Sequence, residues 1–301
     1  MTVAKKYKDI VGDGGSDIVG QVTAQIDRLR SRMDLIRHKV AVMSGKGGVG
    51  KSAITVNLAA VLASQGYQVG VLDADINGPT LAKMLGVRGR SLPMGESGVS
   101  PALGPLNIKV MSMDLLLAED KAPVVWDAPT KRDTFIWQGT MEASTLREFL
   151  ADTDWGELDF LLVDLPPGAH GFPTLAQLLP NLGGTIMVTI PSQVSHLVVK
   201  KSITLAQELR SPLIGLVENM AGYVCLHCGI LGNLFHAAGD GEKITTELGV
   251  PLLGRIPFDP RISVSTDWGV PFVLEHGDSP AGIALADMAG KVRLFLEEGG
   301  R

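Results

Sequence analysis

Apolar positions along this chain follow two patterns in turn. From Ser16 or Asp17, either of which suits a helix N-cap, Ile18, Val22, Ile26, Leu29, Met33 and Ile36 recur at steps of four, four, three, four and three. That spacing draws one apolar stripe along a helix over residues 16–37, after a flexible lead over 1–15. The stripe needs a surface to cover it, on its own domain or on a partner. Beyond it come short, almost unbroken aliphatic runs that end in polar or turn residues. They are KVAVMSG (39–45), YQVGVLDAD (67–75), IKVMSMD (108–114), DFLLVDLPPG (159–168), GTIMVTIP (184–191), PLIGLVENM (212–220) and PLLGRIP (251–257). Runs without polar alternation belong to strands buried on both faces. Helical patterns such as SAITVNLAAVLASQG (52–66) and HLVVKKSITLAQELR (196–210) separate most of them. The alternation predicts an α/β fold, a doubly wound, mainly parallel sheet flanked by helices, as a single domain over 38–301. The Gly- and Pro-rich stretch 86–107 is a long excursion from it.

Composition narrows the class. With 301 residues, 45% of them hydrophobic, and 36 glycines, the chain has material for a full core and many tight turns, which excludes disordered and collagen-like classes. The formal net charge of −5 and the lack of like-charge runs disfavour a duplex-binding surface, so no nucleic-acid partner is expected. No apolar run is long enough for a membrane span or a signal peptide, so no membrane partner is expected either, and the chain reads as cytoplasmic.

The first chemistry lies between the first predicted strand and the first long helix after it. GKGGVGKS, Gly45 to Ser52, satisfies the GxxxxGK[ST] phosphate-loop pattern. Its glycines, Gly45, Gly47, Gly48 and Gly50 around Val49, let backbone N–H groups close on phosphate oxygens at the positive end of a helix. Lys51 would reach the β- and γ-phosphates, and the Ser52 hydroxyl would bind Mg²⁺. Asp164 ends the run DFLLVD and should emerge at the carboxyl edge of the sheet, the place for a Mg²⁺-holding acid. Asp75, after VLDA, is the candidate for orienting an attacking water, with a loop-capping role as the alternative; for Asp73 the structural role is favoured.

Lys46, directly after the first glycine, is not needed by a plain phosphate loop. With it, GKGGVGKS resembles the deviant Walker A motif of the superfamily that includes MinD, ParA, the arsenite-pump ATPase and nitrogenase iron protein. That resemblance implies ATP as the nucleotide and a homodimer in which Lys46 crosses to the partner's nucleotide. Several further segments resemble the Mrp/ApbC (Nubp/Nbp-like) iron–sulfur cluster carriers in the same order: VLDADINGPT, DFLLVDLPPG, VENMAGYVCLHCG and GEKITTELGVPLLGRIPFDPRI. The resemblance implies adenine contacts from Asn219 and the Pro257 loop. It also implies a cluster on Cys225 and Cys228, and apo iron–sulfur proteins as recipients. The chain departs from that group at Ala169–His170–Gly171, where TGD is usual, at Leu226 in place of proline, and at Trp126–Thr130 with extra residues through about Gly139.

Cys225 and Cys228 are the only cysteines. A 4Fe-4S cluster or a structural zinc takes four ligands, and one chain offers two thiolates. A closed thiolate site therefore requires the same pair from a second copy across a two-fold axis. A subunit-bridging 4Fe-4S cluster is the leading reading. Bridging zinc, zinc within one chain through His227 or His236, a redox CxxC and unligated thiols are the alternatives. A positioning or partitioning ATPase switch like MinD or ParA, with a dimer-bridging zinc or no metal, is the rival function, and a P-loop kinase or ligase a third.

Overall fold

The computed structural model describes residues 18–117, 131–225, 227–228, 230–232 and 245–299. The lead over 1–15, the capping candidates Ser16 and Asp17, the segment Trp126–Thr130, Leu226 and His236 lie outside the described residues.

Helix α1 (Ile18–Asp34) forms where the stripe predicts it, and its last turns are covered by the protein's own core. Leu29 and Met33 share a buried cluster with Leu146, Phe149 and Leu150 of α4 (Lys131–Asp152). Ile26 stays 38% exposed. The helix stops at Asp34, short of 37, and Ile36 opens strand β1 (Ile36–Ser44). Lys39 ties the two elements together: its buried ammonium donates to the carbonyl of Met33 in the last turn of α1 and to that of Ile36 at the start of β1, both at 2.9 Å. A cation on a carbonyl that the helix C-terminus leaves unpaired completes the end of α1 and fixes it to the sheet.

The expected strands all form. They are β1, β2 (Val69–Asp73), β6 (Lys109–Met111), β7 (Leu158–Asp164), β8 (Gly184–Thr189), β9 (Leu213–Val224) and β11 (Leu252–Phe258). Short strands β3 (Met94–Gly95), β4 (Gly98–Val99) and β5 (Ala102–Leu103) occupy the 86–107 excursion, and β10 (Leu231–Gly232) follows the cysteines. In the main sheet β9 lies between β11 and β8, and the order continues β1, β7, β2, β6, β5. Pairing is parallel except for β5 on β6 and β10 on the end of β9.

Helices cover both faces, as the unbroken apolar runs require. Val40 and Val42 of β1 face one core layer with α2 (Lys51–Ser64) and α9 (Pro280–Glu297); Ala41 and Met43 face the other, with α1, α4, α5 (Gly171–Leu178) and α6 (Gln193–Glu208). Strands buried on both sides present only their carboxyl ends to ligands. Ser44, Asp73 and Asp164 sit at those ends on the neighbouring strands β1, β2 and β7, with Asp73 and Asp164 directly in register. Among the described residues no helix is long and apolar enough to cross a membrane.

Candidate nucleotide and thiol sites

The loop from Gly45 to Gly50 joins β1 to α2, as the motif requires. Gly50 is the helix N-cap at φ 82°, a left-handed conformation that favours glycine. A Cβ on it would lie 2.2 Å from Nδ2 of Asn219. Glycine is therefore required there twice over, by backbone conformation and by space.

Asp164 is the hub of the site. It is fully buried, and its Oδ2 accepts from Lys51 Nζ at 2.5 Å and from Ser52 Oγ at 2.7 Å. Its Oδ1 accepts from Thr55 Oγ1 at 2.6 Å. Ser52 Oγ and Asp164 Oδ2 form a side-by-side pair of hard oxygen donors, the kind a hydrated Mg²⁺ uses. Thr55 is a site residue that the motifs do not reveal. Its only sequence signal is its position one helical turn beyond Lys51, on the same face of α2.

A cavity of about 510 Å³ opens above the loop, lined by Lys46, Lys51, Ser52, Asp75 and Pro167 among others. The structure thus brings together the candidates Lys46, Lys51, Ser52 and Asp75, with Pro167, from three separate stretches of chain. Asp75 Oδ1 also accepts from the Gly78 amide at 3.1 Å, so its carboxylate both braces its loop and faces the cavity. Asp73 is braced far more fully. Its Oδ2 accepts from the amides of Thr80 at 2.8 Å and Leu81 at 3.0 Å and from Ser112 Oγ at 3.2 Å, and its Oδ1 from the amide of Asp75 at 3.2 Å. Burial, and then the charge of Asp164, push the Asp73 carboxyl up to about 7 against those amide bonds. The structural role expected of Asp73 is the one its contacts describe. His170, exposed at the start of α5, lines a different cleft with Glu142 and Pro166, and is not among the residues lining the phosphate cavity.

Beside Gly50 a mostly apolar cleft of about 240 Å³ is walled by Ile54, Ile256, Phe258 and Ile262, with Asn219 at its edge. Asn219 Nδ2 donates to the Val49 carbonyl at 2.8 Å. Pro257 itself lies buried within β11 and does not line this cleft; its neighbours Ile256 and Phe258 do. On the opposite face of β9, the buried Glu218 pairs with one side chain and lies near a second without bonding it. Arg255 Nε of β11 stands 3.0 Å from one oxygen, and His196 Nε2 of α6 stands 3.4 Å from the other. Neighbouring residues on one strand thus reach opposite layers, Glu218 toward α6 and Asn219 toward the phosphate loop.

The same strand ends at Val224, and Cys225 follows it directly. Cys225 is half-buried and Cys228 exposed, and both thiols are free. The Cys225 amide donates to the Ile230 carbonyl at 3.1 Å, closing the turn. Backbone N–H groups of Cys228 and then His227 point at the Cys225 sulfur, and with the Cys228 thiol they hold its pKa below the ordinary thiol value. Amide donors aimed at sulfur favour the thiolate, the form that binds metal. Among the described residues no group of three or more His, Cys, Asp or Glu converges as a metal site would need.

The NUBPL iron-transfer P-loop NTPase family, in the ParA group, matches residues 35–293. The iron–sulfur cluster carrier protein of Saccharolobus solfataricus is 43% identical over 278 residues, covering 92% of this chain and 90% of that one. The protein of the same name from Methanocaldococcus jannaschii is 46% identical over 256 residues, covering 84% of each. Among solved structures, a nucleotide-binding protein from Archaeoglobus fulgidus, in complex with ADP and with cobalt found in it, superposes with a TM-score of 0.69. It is 35% identical, over 82% of this chain and 92% of that one. The cell division ATPase MinD of Pyrococcus furiosus, at 21% identity and a TM-score of 0.59, shares the fold. A phosphate loop at the head of a parallel sheet, matched over nearly all of the described chain, makes this protein a member of the NUBPL iron-transfer family of P-loop NTPases.

Proposed function

We propose that this protein is an ATP-dependent iron–sulfur cluster carrier that works in the cytoplasm as a homodimer, takes a 4Fe-4S cluster as cargo between two subunits, and passes it to apo-proteins. The observation that carries the reading is the thiol pair at the end of β9. Cys225 and Cys228 supply half of a four-thiolate set, with amide donors already turned toward sulfur, and a second copy would supply the rest. A cluster held at an exposed subunit seam is easily given up, which suits a carrier. No nucleic-acid or membrane partner is part of the proposal.

The nucleotide chemistry follows from the chain's own residues. Lys51 exchanges the Asp164 carboxylate for the β- and γ-phosphate oxygens, and Ser52 and Asp164 hold Mg²⁺. Mg²⁺ held there would supply neutralisation of the charge that develops on the phosphates. Asp75 orients the attacking water, and Lys46 reaches across the dimer to the partner's phosphates. Asn219 has committed Nδ2 to Val49, leaving its carbonyl oxygen as an acceptor beside the apolar cleft. An acceptor there suits the exocyclic amine of adenine and repels the carbonyl of guanine, which supports ATP over GTP.

Anaerobic iron reconstitution followed by Mössbauer spectroscopy tests the proposal. The expected result is about four irons per dimer with a 4Fe-4S signature, lost in Cys225→Ala. Stoichiometric zinc with no iron uptake would overturn it.

A further inference from the structure

We propose that Thr55 is the positioning residue for Asp164: its hydroxyl fixes one carboxylate oxygen so that the other stays aimed at the metal when Lys51 departs. The proposal rests on the nucleotide and Mg²⁺ reading above. Thr55 is fully buried on the second turn of α2, and its Oγ1 has two acceptors in reach: the Lys51 carbonyl at 3.1 Å and Asp164 Oδ1 at 2.6 Å. A hydroxyl has one proton to give, and the shorter bond to a charged acceptor takes it. The Thr55 hydroxyl therefore belongs to the carboxylate.

The other oxygen is differently placed. Both side-chain donors on Oδ2, Lys51 and Ser52, are the groups that nucleotide and metal call away. Among the described residues Thr55 is the remaining side-chain donor to Asp164. Once the other two have left, a fully buried carboxylate beside the Asp73 carboxyl is held by that bond. Without it the carboxylate would be free to rotate, which withdraws Oδ2 from the metal. The residues present fit that metal. Ser52 Oγ and Asp164 Oδ2 lie 2.7 Å apart, close to the roughly 2.9 Å between adjacent corners of a Mg²⁺ octahedron with bonds near 2.05 Å.

Thr55→Val keeps the shape and removes the hydroxyl, whereas Thr55→Ser keeps the hydroxyl and removes the methyl. Affinity for a fluorescent adenosine diphosphate analogue is measured with Mg²⁺ and again in EDTA, alongside steady-state hydrolysis. The Mg²⁺-dependent gain in affinity is expected to fall about tenfold in the Val variant, the size of a lost hydrogen bond to a charged group, with EDTA affinity within about twofold of wild type. The Ser variant is expected to keep the Mg²⁺ gain. A Val variant that behaves as wild type, or a Ser variant as impaired as Val, would show that Thr55 only packs and would overturn the proposal. Should the Val variant fail to fold, Thr55→Ala against Thr55→Ser isolates the hydroxyl in the same way. A wild-type protein whose affinity Mg²⁺ does not raise removes the metal reading itself, a failure distinct from that of Thr55.

Discussion

Asn219 on β9 donates to the carbonyl of Val49 inside the phosphate loop at 2.8 Å, so the strand that ends at the cysteines is tied directly to the nucleotide site. Asn219→Ala leaves that carbonyl without its partner and opens the cleft beside Gly50. Nucleotide affinity is expected to drop about tenfold, on the scale of about 1–2 kcal/mol for a lost buried hydrogen bond. Equilibrium titration with a fluorescent nucleotide checks it, and unchanged affinity would refute the link.

Asp73 gives stability a pH dependence of defined sign. Its carboxyl titrates near 3.8 when ordinary and is pushed up to about 7 in the folded protein. Between those values the folded state holds a proton that the unfolded state has released, so this group's contribution falls as pH rises through the window. Below about 4 the penalty is absent, and above about 7 it is complete. Its slope approaches about 1.4 kcal/mol per pH unit at most. Asp73→Asn is expected to flatten the urea-unfolding profile between pH 4 and 7; an unaltered slope would contradict the assignment.

The thiols should differ in reactivity for a stated reason. Cys225 owes its lowered pKa first to the backbone N–H of Cys228, then to that of His227, and last among the lowering causes to the Cys228 thiol. Its alkylation by iodoacetamide, followed by peptide mapping, is expected to reach half-maximal rate below the ordinary thiol pH. Cys228→Ala should move that midpoint only part of the way back, because the amides remain. A full return to the ordinary value would mean that the thiol, not the backbone, sets it.

Lys46 lines the phosphate cavity from its own subunit. If it also serves the partner's nucleotide, Lys46→Ala should retain most nucleotide binding while losing nucleotide-dependent dimer closure and slowing hydrolysis by at least about tenfold. Light scattering with and without nucleotide, paired with turnover measurements, distinguishes this from a role within one chain, where closure would survive.

Removing Glu218 should be costly. Its carboxylate is 1% exposed and pairs with the part-exposed Arg255, and Glu218→Ala breaks that pair. The expected loss is about 2 kcal/mol, read as a lower thermal midpoint.

What the sequence revealed, and what it hid, follows from the range of the interactions. The strands were legible because burial on both faces writes itself as an unbroken aliphatic run, as in DFLLVD. The phosphate loop was legible because its geometry is local. Thr55 was not, since its meaning lies in a carboxylate 109 residues away. The end of α1 was misplaced for a similar reason. Ile36 continues the helical spacing, but it opens β1, and Lys39 joins its carbonyl to that of Met33 in the last helical turn. The resemblance implies adenine contacts from the Pro257 loop; within it Pro257 is buried, and its neighbours Ile256 and Phe258 line the cleft beside Gly50, a detail that motif matching does not resolve.

Between Asn219 and Tyr223, β9 spends four residues where β11 spends two, from Ile256 to Phe258, and Met220 sits there at φ 56°. Extra chain in one strand is absorbed as a bulge, so the alternation that dictates which side chains enter the core is reset at that point. The bulge, more than the regular part of β9, therefore sets where the chain carries the thiols. Residues gained or lost at the bulge would swing the direction in which the cysteines point, while the buried half of β9 kept its place in the sheet. An engineer wishing to redirect the pair toward a different mate would lengthen or shorten the chain there, and nowhere else on the strand.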